Sequence, residues 1–490
     1  MDNSSTPLAK YKQNKKTLTP PLATLPFKAS SWIDARLPEM LWAVLIRIQW
    51  EGEDGYRVFR EITQEFCRHI EHIPVRGITL TDIANTPVET REKIIQTIVD
   101  KAGAETLQPL LLFTGLPALE SWQKAISLPG KEEDISTVAW SVAEALPHQS
   151  QFATDIRWVK LIGTIAAERM SMPQEMLENI NFYPDKGDQR SVRPSIRSAE
   201  ITDDLLDPQY VWATKFWEFC YENTSCMPEK NESKSEEISG LIHNLRADRE
   251  FYVTRVSDSR DALIDHFFKT SNTTKVDSRH ESIFGIALYM LDVFLECAGL
   301  ELASGISGRV TLRIMMESYV TLKYLFYKEK AGDDSWDSYR DYGLGQLNLI
   351  NKKYEEQSLT SSLVDREHIG YLANEDKWAE FVPINIGHWD ELDLRKICVK
   401  VGEKKLYDMF YSYSSGYVHG SWGAVRESAM QSCLNPLHRL HRIPSFQISL
   451  LPNPNEECRK LLNKAFALVD KGYPDFKSRI RKRPEPKKGS

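Results

Sequence analysis

Cysteine is sparse in this chain, seven in 490 residues, scattered and odd in number. That pattern excludes a disulfide framework of the secreted-domain kind and predicts reduced thiols in a cytoplasmic setting. Long apolar runs are missing too. Runs such as "LLLF" at Leu110–Phe113 are far short of a membrane span, so no membrane partner is expected. The opening "MDNSSTPLAKYKQNKKTLTPP" carries lysines but no apolar core of a signal peptide. No Gly-x-Gly-x-x-Gly, no Gly-Lys-Ser/Thr phosphate loop and no Gly-x-Ser-x-Gly elbow is present. Their absence removes a dinucleotide fold, a Walker-type NTPase and an α/β-hydrolase nucleophile, and no cofactor is expected. Charge of one sign is mildly short. The net is −7, but the last fourteen residues, "KSRIRKRPEPKKGS", hold seven bases and one acid. Without them the body carries 55 basic and 68 acidic side chains, which argues against a broad nucleic-acid surface.

What is present is aromatic and helical. Twelve tryptophans and nineteen tyrosines supply ample buried area. Residues 1–28 read as a disordered tail rich in Ser, Thr, Lys and Pro. Apolar residues at helical spacing then predict an N-terminal helical domain over 29–223, of unknown role, with helices at Tyr56–Glu71, Val88–Ala102, Ser136–Ala145, Gln151–Met170 and Gln209–Glu222. The stretch "TSCMPEKNESKSEEISG" gives a linker at 224–240. A second helical domain over 241–471 follows, with helices at Ile238–Thr270, Arg279–Ala298, Gly308–Glu329, Ser335–Gln357, Leu392–Val401, Lys404–Gln431 and Asn455–Lys471. "SFQISLL", Ser445–Leu451, alternates enough for a short strand. Residues 472–490 form a basic, solvated tail. The fold class is all-α, in two domains, the second a helical bundle.

Two constellations carry chemistry. In "YSYSSGYVHGSWG", Tyr411–Gly423, three glycines at spacings of four and three lie on one side of an expected helix. Glycine inside a helix costs up to about 1 kcal/mol, so the pattern predicts a neighbouring helix packed closely against that side, with His419 at the seam. In "GRVTLRIMMESYVTLKYLFY", Gly308–Tyr327, Arg309, Arg313 and Glu317 follow at four-residue steps. If that face turns toward His419, an arginine, a glutamate and a histidine share one crevice. Arg340 in "WDSYRDYG" and Ser415 are further candidates for contact with a substrate. "CRHIEH" (Cys67, His69, His72) and "HRLH" (His438, His441) look like fragments of metal sites. Neither has a matching second pair at a recognised spacing, so no metal is expected.

The order "LRIMMESYVTLKYLF", "WDSYRDYGLGQ", "LYDMFYSYSSGYVHGSW" resembles an uncharacterised bacterial helical family with an Arg-x-x-x-Glu helix and a later Tyr-x-x-x-Ser-x-x-x-His segment. That family in turn is similar to HEPN domains, helical bundles that often act as metal-independent endoribonucleases in toxin and antiviral defence systems, usually as dimers. The resemblance covers about residues 240–470. It implies a cytoplasmic protein with RNA as a partner, a homodimer or a partner protein, and His419 as general acid/base. HEPN domains place an arginine four to six residues before the histidine, where this chain has Ser412, Tyr413 and Ser414. Arg313 would then supply the guanidinium from another helix, with Glu317 orienting it and Ser415, Arg340 and Arg309 contacting substrate. The competing reading is a non-catalytic sensor or interaction protein whose Arg, Glu and His are structural.

Overall fold

A computed structural model describes residues 7–15, 17–19, 21, 31–50, 52–171, 173–186, 192–193, 196–197, 211–228, 235–333, 335–374, 379, 382–385, 390, 392–445 and 451–484. The chain is all-α apart from two small two-stranded sheets among these residues. It divides into two compact units, each with its own core. Unit 1 comprises residues 1–229 and 432–443; unit 2 comprises 230–431 and 444–490.

Unit 1 is built from helices whose apolar stripes were legible in the sequence. Gly52–His69, Val88–Ala102, Asp134–Ala145, Gln151–Ala166 and Val211–Asn223 stand where periodicity put them, within a few residues at each end. Trp42, Phe59, Phe66, Phe113, Trp122 and Phe216 fill its core. Buried indoles must also place an N–H, and three do so on backbone: Trp42 Nε1 donates to the Ile78 carbonyl, Trp158 to Ile180 and Trp212 to Pro38. Part of the expected N-terminal tail is ordered as a hairpin, Lys12–Asn14 with Thr17–Thr19, its residues largely exposed. Leu437, two hundred residues further along the chain than the rest, completes this core.

Unit 2 is a bundle of long helices: Ser235–Thr270, Ser278–Gly299, Ile306–Lys330 and Asn455–Gly472, with Trp336–Glu356 packed on Ser278–Gly299. The first of these begins inside the segment expected to be a linker. Met290, Phe294, Met315, Leu322, Leu462 and Phe466 interdigitate at its centre. By length and composition Ser278–Gly299 is apolar enough to cross a bilayer, which the search for dense runs such as "LLLF" missed. Its Ile283, Phe284, Ala287, Met290, Leu291 and Phe294 are instead buried against the other helices of the bundle. The basic segment after Gly472 is not a solvated end through residue 484. Phe476 and Ile480 are buried in the bundle, the Ile480 carbonyl accepts from Arg459 and Asn463, and Arg483 pairs with Asp248. Two apolar residues four apart among the bases supply the burial that charge alone hides. The strand expected at Ser445–Leu451 lies mostly outside the described residues.

Candidate functional site

The Ile306–Lys330 helix presents Arg309, Arg313 and Glu317 as the spacing requires, but each has a different fate. Arg309 is buried and holds the start of its own helix: its guanidinium donates to the carbonyls of Ala303 (3.1 Å), Gly305 (3.2 Å) and Pro452. It is therefore engaged with backbone rather than presented to a substrate. Arg313 donates through Nε to Glu317 Oε1 at 2.7 Å and through Nη2 to the Tyr411 hydroxyl at 3.1 Å. Its guanidinium lies 4.5 Å from the Tyr411 ring centre, and Tyr411 stacks on Tyr407 with ring centres 4.6 Å apart. A planar cation set against one ring in this way gains from both hydrogen bonding and the ring quadrupole. Nη1 of Arg313 is buried, with no hydrogen-bond partner among the described residues.

The Tyr411–Gly423 motif does not run as one helix. A π-helical turn at Tyr407–Tyr411 leads into the α-helix Ser412–Val418, which ends at His419; a second helix, Trp422–Ala429, starts after Ser421. Gly420 has φ +59°, the left-handed conformation of a residue just past a helix end, and the Ser421 N–H returns to the Gly416 carbonyl at 2.8 Å. That is the six-to-one bond of a Schellman termination. The expected close helix contact along the glycines is absent: a Cβ at Gly420 or Gly423 would meet nothing within 4 Å, and at Gly416 nothing closer than 3.8 Å. Glycine spacing was read as packing where a chain reversal was the reason. His419 is exposed at the end of the helix, and Ser415 is half-buried, its carbonyl accepting from the His419 N–H.

Arg313 and Glu317 are thus brought together, with Tyr411 as a third member that spacing alone did not nominate. His419 is eight residues beyond Tyr411, about 12 Å along a helix at ~1.5 Å per residue. Among the described residues no hydrogen bond or ion pair joins its side chain to Arg313 or Glu317.

Glu317 also lines a cleft of about 620 Å³, with Glu281, Ser282, Tyr289, Thr321, Tyr339 and Arg340 around it. Arg340 pairs there with Glu281. Burial, and then the neighbouring Tyr289, push the Tyr339 hydroxyl above its ordinary range, so it stays a neutral donor. The cleft offers two carboxylates, each already facing an arginine, and a rim of hydroxyls. Its volume falls in the range of small-molecule sites.

Of the two metal-site fragments, the first disperses: His69 Nε2 lies 3.0 Å from the Thr97 hydroxyl and His72 faces solvent. For the second, the missing pair exists. Cys226 and Cys433 stand beside His438 and His441, all four donor atoms within 4.8 Å of one another in unit 1. Sequence spacing could not find this group because Cys226 is more than two hundred residues from the others.

All six candidate residues, Arg309, Arg313, Glu317, Arg340, Ser415 and His419, fall within one segment that has relatives. No curated protein and no solved structure matches the chain, whereas residues 299–432 match the model of a family of unknown function, DUF5677.

Proposed function

We propose that this is a sensor or interaction protein, whose second unit recognises a small polar ligand in the cleft beside Glu317 and Arg340. The observation that carries the reading is the separation of Arg313 from His419. A ribonuclease of the HEPN type needs a guanidinium and an imidazole within hydrogen-bond reach of one phosphate. Here Arg313 is held by Glu317 and Tyr411, while His419 stands exposed at the far end of the following helix. Such an Arg–Glu–Tyr network favours orientation of the helices over chemistry. The sparse, scattered and odd-numbered cysteines suit the cytoplasmic setting of this reading.

Purified wild-type and His419→Ala proteins, incubated with a mixed-sequence RNA, decide between recognition and cleavage. Recognition expects the same background from both; cleavage by the wild type that His419→Ala abolishes overturns the reading. Thermal melts on the same samples add the structural half. His419→Ala should melt with the wild type. Arg313→Ala should melt lower by several degrees, at about 2–4 °C per kcal/mol for units of this size, since it loses two hydrogen bonds and a ring contact.

A further inference from the structure

We propose that Cys226, Cys433, His438 and His441 bind one Zn²⁺ ion, which fastens residues 432–443 to the 224–227 loop within unit 1. Four donors, two soft and two borderline, lie with their ligand atoms within 4.8 Å of one another. Cys226 Sγ lies 3.4 Å from His438 Nδ1 and 3.4 Å from His441 Nε2, and Cys433 Sγ lies 3.5 Å from His438 Nδ1. A tetrahedron with Zn–S of about 2.3 Å and Zn–N of about 2.05 Å has S···N edges of about 3.5 Å. The three S···N distances above are close to such edges.

Ordinary thiol–imidazole hydrogen bonds account less well for the group. The Thr224 hydroxyl donates to the Cys220 carbonyl at 2.7 Å, so its oxygen can only accept from His438 Nε2 at 3.0 Å. The proton of His438 is therefore on Nε2, and Nδ1 presents one lone pair. Two sulfurs face that single lone pair, and Cys226 faces a second imidazole as well. One metal ion satisfies all of these at once.

The surroundings are those of a built ligand shell. Thr224 fixes the tautomer and ring orientation of His438, and Asn435 Nδ2 approaches the same hydroxyl at 3.1 Å and the Ser225 carbonyl at 2.9 Å. The Met227 N–H points at Cys433 Sγ at 3.3 Å, tying the two loops together beside the sulfur. The Leu434 N–H donates to the Met227 carbonyl, and the Cys433 N–H to the His441 carbonyl, so backbone hydrogen bonds hold both loops around the four side chains. Each thiol releases its proton to solvent on binding. Two thiolates and two imidazoles select Zn²⁺ over the oxygen-seeking Mg²⁺ or Ca²⁺, and four protein ligands leave no open position, which makes the site structural.

The full-length protein, purified without chelators and offered Zn²⁺, is analysed for metal by mass spectrometry. The proposal expects about one zinc per chain, falling to below a tenth in Cys226→Ser and in His441→Ala and unchanged in Cys67→Ser, whose thiol lies elsewhere. Because a variant can lose metal by misfolding, chelated wild-type protein is also titrated with Co²⁺. Intense visible bands of tetrahedral cobalt at one equivalent support the site. Wild-type protein that takes up no zinc and gives no such bands overturns it. So does a count of five free thiols under denaturing conditions, which would mean that Cys226 and Cys433 are joined as a disulfide.

Discussion

Glu39 is the charged side chain of unit 1 with the plainest consequence for pH. It is 1% exposed and accepts from the Thr81 N–H and hydroxyl at 3.0 and 2.8 Å. Burial, outweighing those hydrogen bonds, lifts its carboxyl from 4.5 to about 7. The folded protein therefore holds a proton there that the unfolded chain gives up. Its contribution is complete below pH 4.5 and is lost as pH rises to about 7, on the order of 3 kcal/mol. Glu39→Gln should flatten this slope; urea unfolding at pH 5 and pH 8 measures it, and an unchanged slope rejects the assignment. Nearby, Asp155 is almost fully buried yet bound by Arg47 at 2.8 Å, Tyr183 at 2.6 Å and Gln151 at 2.8 Å, which shows how such a group is tolerated. Arg47 and Tyr183 could not be read from the sequence as its partners, because they lie 108 and 28 positions away. Arg313 with Glu317 was legible for the opposite reason: one helical turn separates them. Tyr411 was not, since only tertiary packing brings it to the same guanidinium.

The helices themselves were the most readable part of the protein. Val88–Ala102 agrees with its apolar periodicity at both ends, and the long helices of unit 2 differ from it by only a few residues. The expectation failed at Lys404–Gln431, where a continuous apolar period hid a π-turn, a left-handed Gly420 and a second helix start. A glycine in mid-pattern serves close packing and termination equally well; only the return of Ser421 to Gly416 tells them apart. The segment after Asn455–Gly472 failed in the other direction. Its bases suggested solvent, while Phe476 is 3% exposed and packs its ring 5.2 Å from Phe466 and 5.4 Å from His266. Phe476→Ala should cost about 3–5 kcal/mol, read by chemical denaturation with circular dichroism. A loss below about 0.5 kcal/mol, ordinary for a surface position, would mean the segment does not dock.

The division into two units follows from two separate apolar cores, each large enough for a domain of its own. What composition and periodicity could not show is the path of the chain between them. It leaves unit 1 after residue 229, returns for 432–443 and leaves again. No local signal marks such a return, for Leu437 and His438 become core residues only through contacts with the distant N-terminal half. That path sets a timetable for synthesis. Residues 1–229 leave the ribosome about 200 residues before the segment that finishes their core, a wait of about 10–40 s at ~5–20 residues per second. Throughout it, the place of Leu437 and the neighbours of Cys226 stay uncovered. Nascent chains arrested near residue 330 should be cut within unit 1 by a dilute protease, and chains arrested with residues 432–443 released should resist. Equal sensitivity would mean that unit 1 closes without its last twelve residues. The first half of this protein is made early but finished late, and it is during that interval that a chaperone would find it.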